Sequence, residues 1–243
     1  MLRHVAVLAL AALCLPAQAK VDAAQAARLG QDLTPLGGER AANAAGTIPV
    51  WEGGLTTPPA SYQPGMHHPD PYAADAALYT VTAQNLGQYQ QVLPAGLQTL
   101  IQTHPDYKLR VFPTRRSAAA PQYVYDATKA NATKAELIAG GNGVSGAAAG
   151  TPFPIPQNGQ EVIWNHIMRF RGEQIHMVAN HVAVLANGSY SLVLRDREIY
   201  FVYGRQGAQE GDLDNTLFHY KYSVTAPSKL AGSALLVEET IDQ

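Results

Sequence analysis

Eight histidines, a pair of adjacent arginines and several glycine-rich turns are the residues with chemistry to offer. His176 and His181 stand five apart in a stretch that reads as a strand. An odd spacing there puts the two rings on opposite faces, a poor arrangement for one metal ion. Glu161 and His166, also five apart, sit obliquely on a predicted helix, and no His-Glu-x-x-His spacing occurs. His67-His68 beside Asp70 falls in a Pro-rich loop, where a solvated turn competes with weak metal binding. Ser145 lacks the Gly-x-Ser-x-Gly elbow of a serine nucleophile. Gly140-Gly141-Asn142-Gly143 carries the glycines of a phosphate loop without its Lys-Ser/Thr, and so reads as a helix stop. Arg115 and Arg116, near Tyr107 and Lys108, form a small basic cluster suited to an anionic head group or to a solvated surface. Phe218, Tyr220 and Tyr222, with Tyr200 and Phe201 nearby, form an aromatic stripe that serves equally as core or as the wall of a cavity. No metal and no cofactor is expected. The residue types favour a non-catalytic protein; an enzyme built on His166, Glu161 or Arg115 is the weaker candidate.

Composition narrows the classes further. Hydrophobic residues make up 47% and charged residues 15% of the 243, and the formal net charge is -2. A chain so close to neutral lacks the basic field of a nucleic-acid binder. Arg3 and His4 precede the uncharged apolar run Val5 to Leu15; Pro16 and Ala17-Gln18-Ala19 follow. That is the plan of a signal peptide cleaved after Ala19, and the run is too short for a membrane span. The expected location is the periplasm, with no transmembrane segment in the mature chain. Cys14, the single cysteine, lies inside the signal. The mature chain must therefore fold by burial without disulfides.

Two textures follow the signal. Residues 20 to 157 are rich in Gly, Pro, Ala, Asn and Gln; 158 to 243 hold a helix and a β-meander. Val21 to Leu29 predicts a short helix stopped by Gly30. The segment 34 to 64 predicts an irregular surface run anchored by Ile48, Val50 and Trp51. Thr82 caps a predicted helix to Leu93, and Pro94 opens a second through Leu97, Leu100 and Ile101. Asp126 is placed to cap a third helix over 127–138, with 143–156 as a loop. Asn158 caps a fourth, Gln160 to Arg171. Strands are predicted over Gln174 to Ala186, closed by Asn187-Gly188, over Tyr190 to Tyr203, over Leu217 to Thr225 and over Leu230 to Ile241. In the third of these Phe218, Tyr220, Tyr222 and Val224 share one face. Arg195-Asp196-Arg197-Glu198 is either a turn or a polar face. The meander stops at Gln243 with a bare edge, which predicts a fragment, a truncated product or a strand partner.

Several strings are more specific. Leu29 to Gly37, Ala44 to Leu55, Pro113 to Ala118, Tyr125 to Ala132, Pro152 to Pro156 and above all Gly159 to His166 with Arg169 to Gly172 resemble an uncharacterised family of Gram-negative exported proteins, often labelled outer-membrane lipoprotein-sorting-like. The resemblance implies a fold similar to the periplasmic lipoprotein carriers: α+β, with a curved antiparallel sheet forming an incomplete β-barrel and helices packed on its concave face. It implies a setting beside resistance-nodulation-division exporters. It also implies a longer parent, so that residues 20–243 make one carrier-like domain that is C-terminally incomplete. It carries over no catalytic residues. The expected function is a periplasmic carrier of lipid-like or hydrophobic cargo. Trp164, Ile167, Phe218, Tyr220 and Tyr222 would line the site, Arg115 and Arg116 would meet a head group, and the helices 82–93 and 160–171 would serve as plug or lid. The rival is an interaction subunit of an envelope export complex with no ligand of its own.

Overall fold

A computed structural model describes residues 21–213, 218–232 and 234–239. The expected signal peptide and the strand edge at Gln243 lie outside the described residues. In chain order the elements are α1 (Ala23–Ala26), β1 (Tyr79–Val81), α2 (Ala95–Thr103), β2 (Leu109–Val111), α3 (Gln122–Asn131), β3 (Glu136–Ile138), β4 (Gly143–Ser145), α4 (Gly159–Ile167), β5 (Gln174–Val184), β6 (Tyr190–Phe201), β7 (Phe218–Ala226) and β8 (Ala234–Glu239). The class is α+β. β1 pairs with β2, β3 with β4, and β5-β6-β7-β8 form a four-stranded sheet in sequence order. Every pairing within these sheets is antiparallel, and none of them closes into a barrel.

The chain divides into two compact units: Glu39–Ala120, and the chain up to Gly38 together with the chain from Pro121 onward. The change of composition near residue 158 coincides with neither boundary.

In the unit of Glu39–Ala120, Val81, Leu86 and Ile101 form a small core, with Tyr89, Leu93 and Leu109 against it. The helix expected from Thr82 to Leu93 does not form; two short 3₁₀ turns, Leu86–Gln88 and Gln90–Val92, stand there instead. Asn85 is the reason. Its Oδ1 accepts the Thr82 N–H at 2.7 Å and its Nδ2 donates to the Thr80 carbonyl at 2.9 Å, bonds that compete with helical ones. Pro94 does open a helix, α2, which it precedes directly. The irregular run before β1 is held otherwise than expected: the Ile48 and Val50 side chains are not buried, at 43% and 45% exposure. Trp51 is the anchor, its Nε1 donating to the Ala118 carbonyl at 3.0 Å. Gly54 makes the close approach possible, since with φ +74° any Cβ there would lie 2.3 Å from the Ala118 oxygen.

In the other unit, Asp22 caps α1 by accepting the Gln25 N–H at 2.7 Å. α1 is shorter than the predicted Val21–Leu29 helix; Leu29 and Leu33 instead enter a small cluster with Ala26 and Ala132. α3 starts after Pro121, not at Asp126, and ends at Asn131. Its last turn is committed to side-chain bonding. Thr128 Oγ1 donates to the Val124 carbonyl at 2.7 Å and accepts the Thr151 N–H at 3.0 Å. The residues expected to extend that helix, Glu136 to Ile138, pair with 143–145, part of the expected loop. α4 follows its cap: Asn158 Oδ1 accepts the Glu161 N–H at 3.0 Å while Glu161 Oε2 accepts the Gln157 N–H at 2.6 Å. The helix ends at Ile167, one turn short of Arg171.

β5 and β6 turn at Asn187-Gly188, where Gly188 has φ +80° and Asn187 Oδ1 accepts the Ser189 N–H at 3.0 Å. Residues 195–198 are continuous strand, so the polar-face alternative holds and the turn does not. Among the described residues, no helix is long and apolar enough to cross a membrane.

Candidate functional site

Because side chains alternate along a strand, the register of the sheet sorts its residues into two faces. One face carries Ile175, Met177, Ala179 and His181 on β5; Phe201, Ile199, Arg197, Arg195 and Val193 on β6; and Phe218, Tyr220, Tyr222 and Val224 on β7. The other carries His176, Val178, Asn180 and Val182, then Glu198, Asp196 and Leu194, then His219, Lys221 and Ser223.

The first face is closed at one end and half-buried beyond it, as far as Val224, which is again buried at 8% exposure. At the closed end Phe201, Tyr203 and Met168 are 1% exposed, in a cluster with Trp164, Phe153 and Val144 against which Ile167, Ile175, Ile199 and Phe218 pack. Trp164 satisfies its indole by donating to the Gly141 carbonyl at 3.0 Å. The Arg171 guanidinium lies 4.4 Å over the Phe201 ring and donates to the Tyr203 hydroxyl at 3.2 Å. Trp164, Ile167 and Phe218 therefore belong to packed core. Tyr220 and Tyr222, stacked at 5.6 Å, lie on the half-exposed stretch, with Met177, Arg195 and Arg197 in register beside them. Burial and the positive fields of Arg195 and Arg197 hold the His181 imidazole below its usual range.

The opposite face is polar in its middle. His176 Nε2 stands 2.7 Å from Asp196 Oδ1, and Asp196, Glu198, Lys221 and Ser223 enclose a space of about 80 Å³. His176 and His181 thus face apart, as their spacing predicts.

The arginine pair lies in the unit of Glu39–Ala120. Arg115 grips Asp75 through two hydrogen bonds of 2.9 and 2.5 Å and lies 5.1 Å over the Tyr72 ring. That pairing holds the Asp75 carboxyl below, and the Arg115 guanidinium above, its ordinary range. Arg116 donates to the carbonyls of Glu39, Arg40, Ala41 and Pro49, at 2.5 to 3.4 Å. Both cations are engaged by the protein itself, beside an open cleft of about 310 Å³ bounded by Val50, Leu55, Tyr72 and Thr114. Arg116 ties the irregular run to the end of the unit. Arg116→Ala is expected to speed amide exchange at Trp51 and Leu55 roughly tenfold, while the amides of β5 and β6 keep their rates. Unchanged exchange at Trp51 would show that the tie is made elsewhere.

Glu161 is spent on its helix cap, and the Arg169 guanidinium donates to the His166 carbonyl at 2.6 Å. Asp70 Oδ1 accepts the Tyr72 N–H at 2.8 Å, closing a local turn beside His67-His68. Among the described residues, no group of three or more His, Cys, Asp or Glu could hold a metal ion.

Sequence reasoning passed over Arg195 and Arg197 as site residues. The signal was present: Arg-Asp-Arg-Glu inside a β run places both cations on one face and both anions on the other.

An α+β chain with open antiparallel sheets and one half-buried sheet face is a class without an assigned chemistry. The chain belongs to the family described as Protein of unknown function (DUF1329), whose model matches residues 80–243. It is similar to the "Uncharacterized protein PA3922" of Pseudomonas aeruginosa, with 45% identity over 243 residues. The alignment takes in 100% of this chain and 53% of that protein, so the chain spans about half the length of this relative. No solved structure matches.

Proposed function

We propose that the protein is a periplasmic, non-catalytic binder or carrier of lipid-like or hydrophobic cargo, exported with loss of residues 1–19. The observation that carries this reading is the half-covered sheet face. The core closes the end around Phe201, and apolar surface continues past it through Met177, Tyr220 and Tyr222. Burying an acyl chain there would gain ~0.8 kcal/mol per CH₂. The resemblance read in the sequence strings extends the proposal: the sheet would curve round its cargo with α4 beside it, and an exporter of the resistance-nodulation-division class would be the source or recipient.

The test is native mass spectrometry of protein taken from the periplasm, with titration of the neutral fluorophore N-phenyl-1-naphthylamine. A lipid-mass adduct is expected on a chain beginning at Lys20. The Tyr220→Ser/Tyr222→Ser double variant should bind the fluorophore about tenfold more weakly while its melting temperature falls by only a few degrees, roughly 2–8 °C. Absence of both adduct and fluorescence enhancement would overturn the carrier reading.

A second reading, an interaction subunit of an envelope export complex, has its own observation. β7 pairs with β6 only as far as Leu194, so the β5–β6 hairpin runs on as a two-stranded ribbon. Its Val182, Val184, Leu185, Tyr190 and Leu192 are 47–73% exposed. Crosslinking from the ribbon in intact envelopes would yield one stable protein partner on this reading, and cargo with few partners on the first.

A further inference from the structure

The half-open face carries two cations, with His181 on the same side, among Met177, Tyr220, Tyr222 and Val224. Arg195 and Arg197 stand two residues apart on β6 and so share that face. Register sets Arg195 between Ala179 and Val224, and Arg197 between Met177 and Tyr222, so no carboxylate lies across from either. The acidic residues of the same strand, Asp196 and Glu198, are on the reverse face. The contacts the two guanidinium groups do make are soft ones: Arg195 lies 5.6 Å over the Tyr222 ring, and Arg197 Nη2 approaches Met177 Sδ at 3.3 Å. The Nε atoms of both are buried and bond to nothing among the described residues.

The other arginines described in this unit behave differently. Arg28 pairs with Asp32, Arg205 with Asp212, Arg169 binds a carbonyl, and Arg171 binds the Tyr203 hydroxyl. A guanidinium half-removed from water normally takes a planar oxyanion through parallel hydrogen bonds, and a buried donor left unpaired is costly. His181, on the same face, is held below its usual titration range first by burial and then by the charges of Arg195 and Arg197.

We infer that Arg195 and Arg197 form the head-group site for an anionic monoacyl amphiphile, a long-chain carboxylate, whose tail lies on Tyr220, Tyr222 and Met177. The inference rests on the carrier reading and sharpens it. An oxyanion would supply the anionic partner that neither guanidinium finds among the described residues, and the tail would cover the strip that the core leaves half-buried. Arg115 and Arg116, the pair visible as a cluster in the sequence, have no such opening, because Asp75 and four carbonyls already occupy them.

The experiment compares cis-parinaric acid with its methyl ester by fluorescence titration of the full chain at neutral pH. The native protein should bind the acid about tenfold or more tightly than the ester. Arg195→Gln/Arg197→Gln should lose that preference and bind acid and ester equally. A readout on the native protein alone is the NMR titration of His181, whose pKa should rise when the acid binds and stay in place with the ester. Equal affinity for acid and ester in the native protein, with His181 unmoved, would overturn the anion site and leave the carrier reading standing. No binding of either probe, nor of the neutral fluorophore, would overturn both.

Discussion

Trp164→Ala is expected to cost about 3–5 kcal/mol of folding free energy, seen as a lower urea midpoint. The indole is 9% exposed and packs in the cluster that holds Met168, Phe201 and Tyr203, each 1% exposed. Its removal leaves a cavity that these neighbours, locked between α4 and the sheet, refill poorly. It also leaves the Gly141 carbonyl without the bond it receives at 3.0 Å. Trp164→Phe keeps most of the volume and loses that bond, so about 1 kcal/mol is expected from it. Tyr222→Ala, on the half-exposed stretch of the same sheet, should shift stability by about 1 kcal/mol or less while weakening the fluorophore. The contrast separates core from binding surface. If Trp164→Ala kept its urea midpoint and lost the ligand, the indole would be cavity wall, and the boundary drawn at Phe201 would be misplaced.

That boundary is the part of the site the sequence could not draw. Alternation named the face: Phe218, Tyr220, Tyr222 and Val224 fall together on β7, as period-2 spacing requires. It could not say where along the face the core stops, because coverage depends on Met168, Phe153 and Tyr203, which reach the sheet from other segments. The hairpin was legible for a local reason, since Asn187-Gly188 supplies the backbone freedom of a tight turn. The cap of α4 was legible for the same kind of reason, a single side chain placed before an apolar-periodic run. Local rules failed where side chains overrule the backbone. Thr82 looks like a cap, but Asn85 takes the Thr82 N–H for itself and leaves 3₁₀ turns. Arg195 and Arg197 were visible as residues and invisible as a site. Their isolation follows from which residues stand opposite on β5 and β7, and that is a property of register. The break between residues 38 and 39, and again between 120 and 121, left no compositional trace because each unit is defined by long-range closure.

Asn131 shows how much one buried polar side chain can hold. It ends α3 at 3% exposure. Its Nδ2 donates to the carbonyls of Ala148 and Thr151 at 3.1 and 3.2 Å, and its Oδ1 accepts the Ala148 N–H at 3.1 Å. These bonds fix the loop that brings Phe153 to the core, and Gly150 within it, at φ +58°, packs where a Cβ would lie 2.4 Å from Thr128 Oγ1. Asn131→Ala strands three backbone groups and should cost about 3 kcal/mol, lowering the melting temperature by roughly 6–12 °C. Asn131→Asp tests the orientation of the amide. At neutral pH it turns two donors into acceptors aimed at two carbonyl oxygens, so it should be less stable than Asn131→Ala. The new carboxyl is then pushed above its unfolded value of about 3.9, since burial and carbonyl oxygens both disfavour the charge. A folded pKa raised in this way makes the penalty grow as pH rises through the acid range and shrink as pH falls. Measured against Asn131→Ala at each pH, Asn131→Asp should therefore recover towards pH 4, where the protonated acid donates one of the lost bonds. Parallel melting curves for the two variants from pH 4 to pH 7 would mean that the amide does not face those carbonyls, and that the loop before α4 is held by Thr128, by Gly150 and by the two bonds of the Asn165 side chain to the Phe153 backbone.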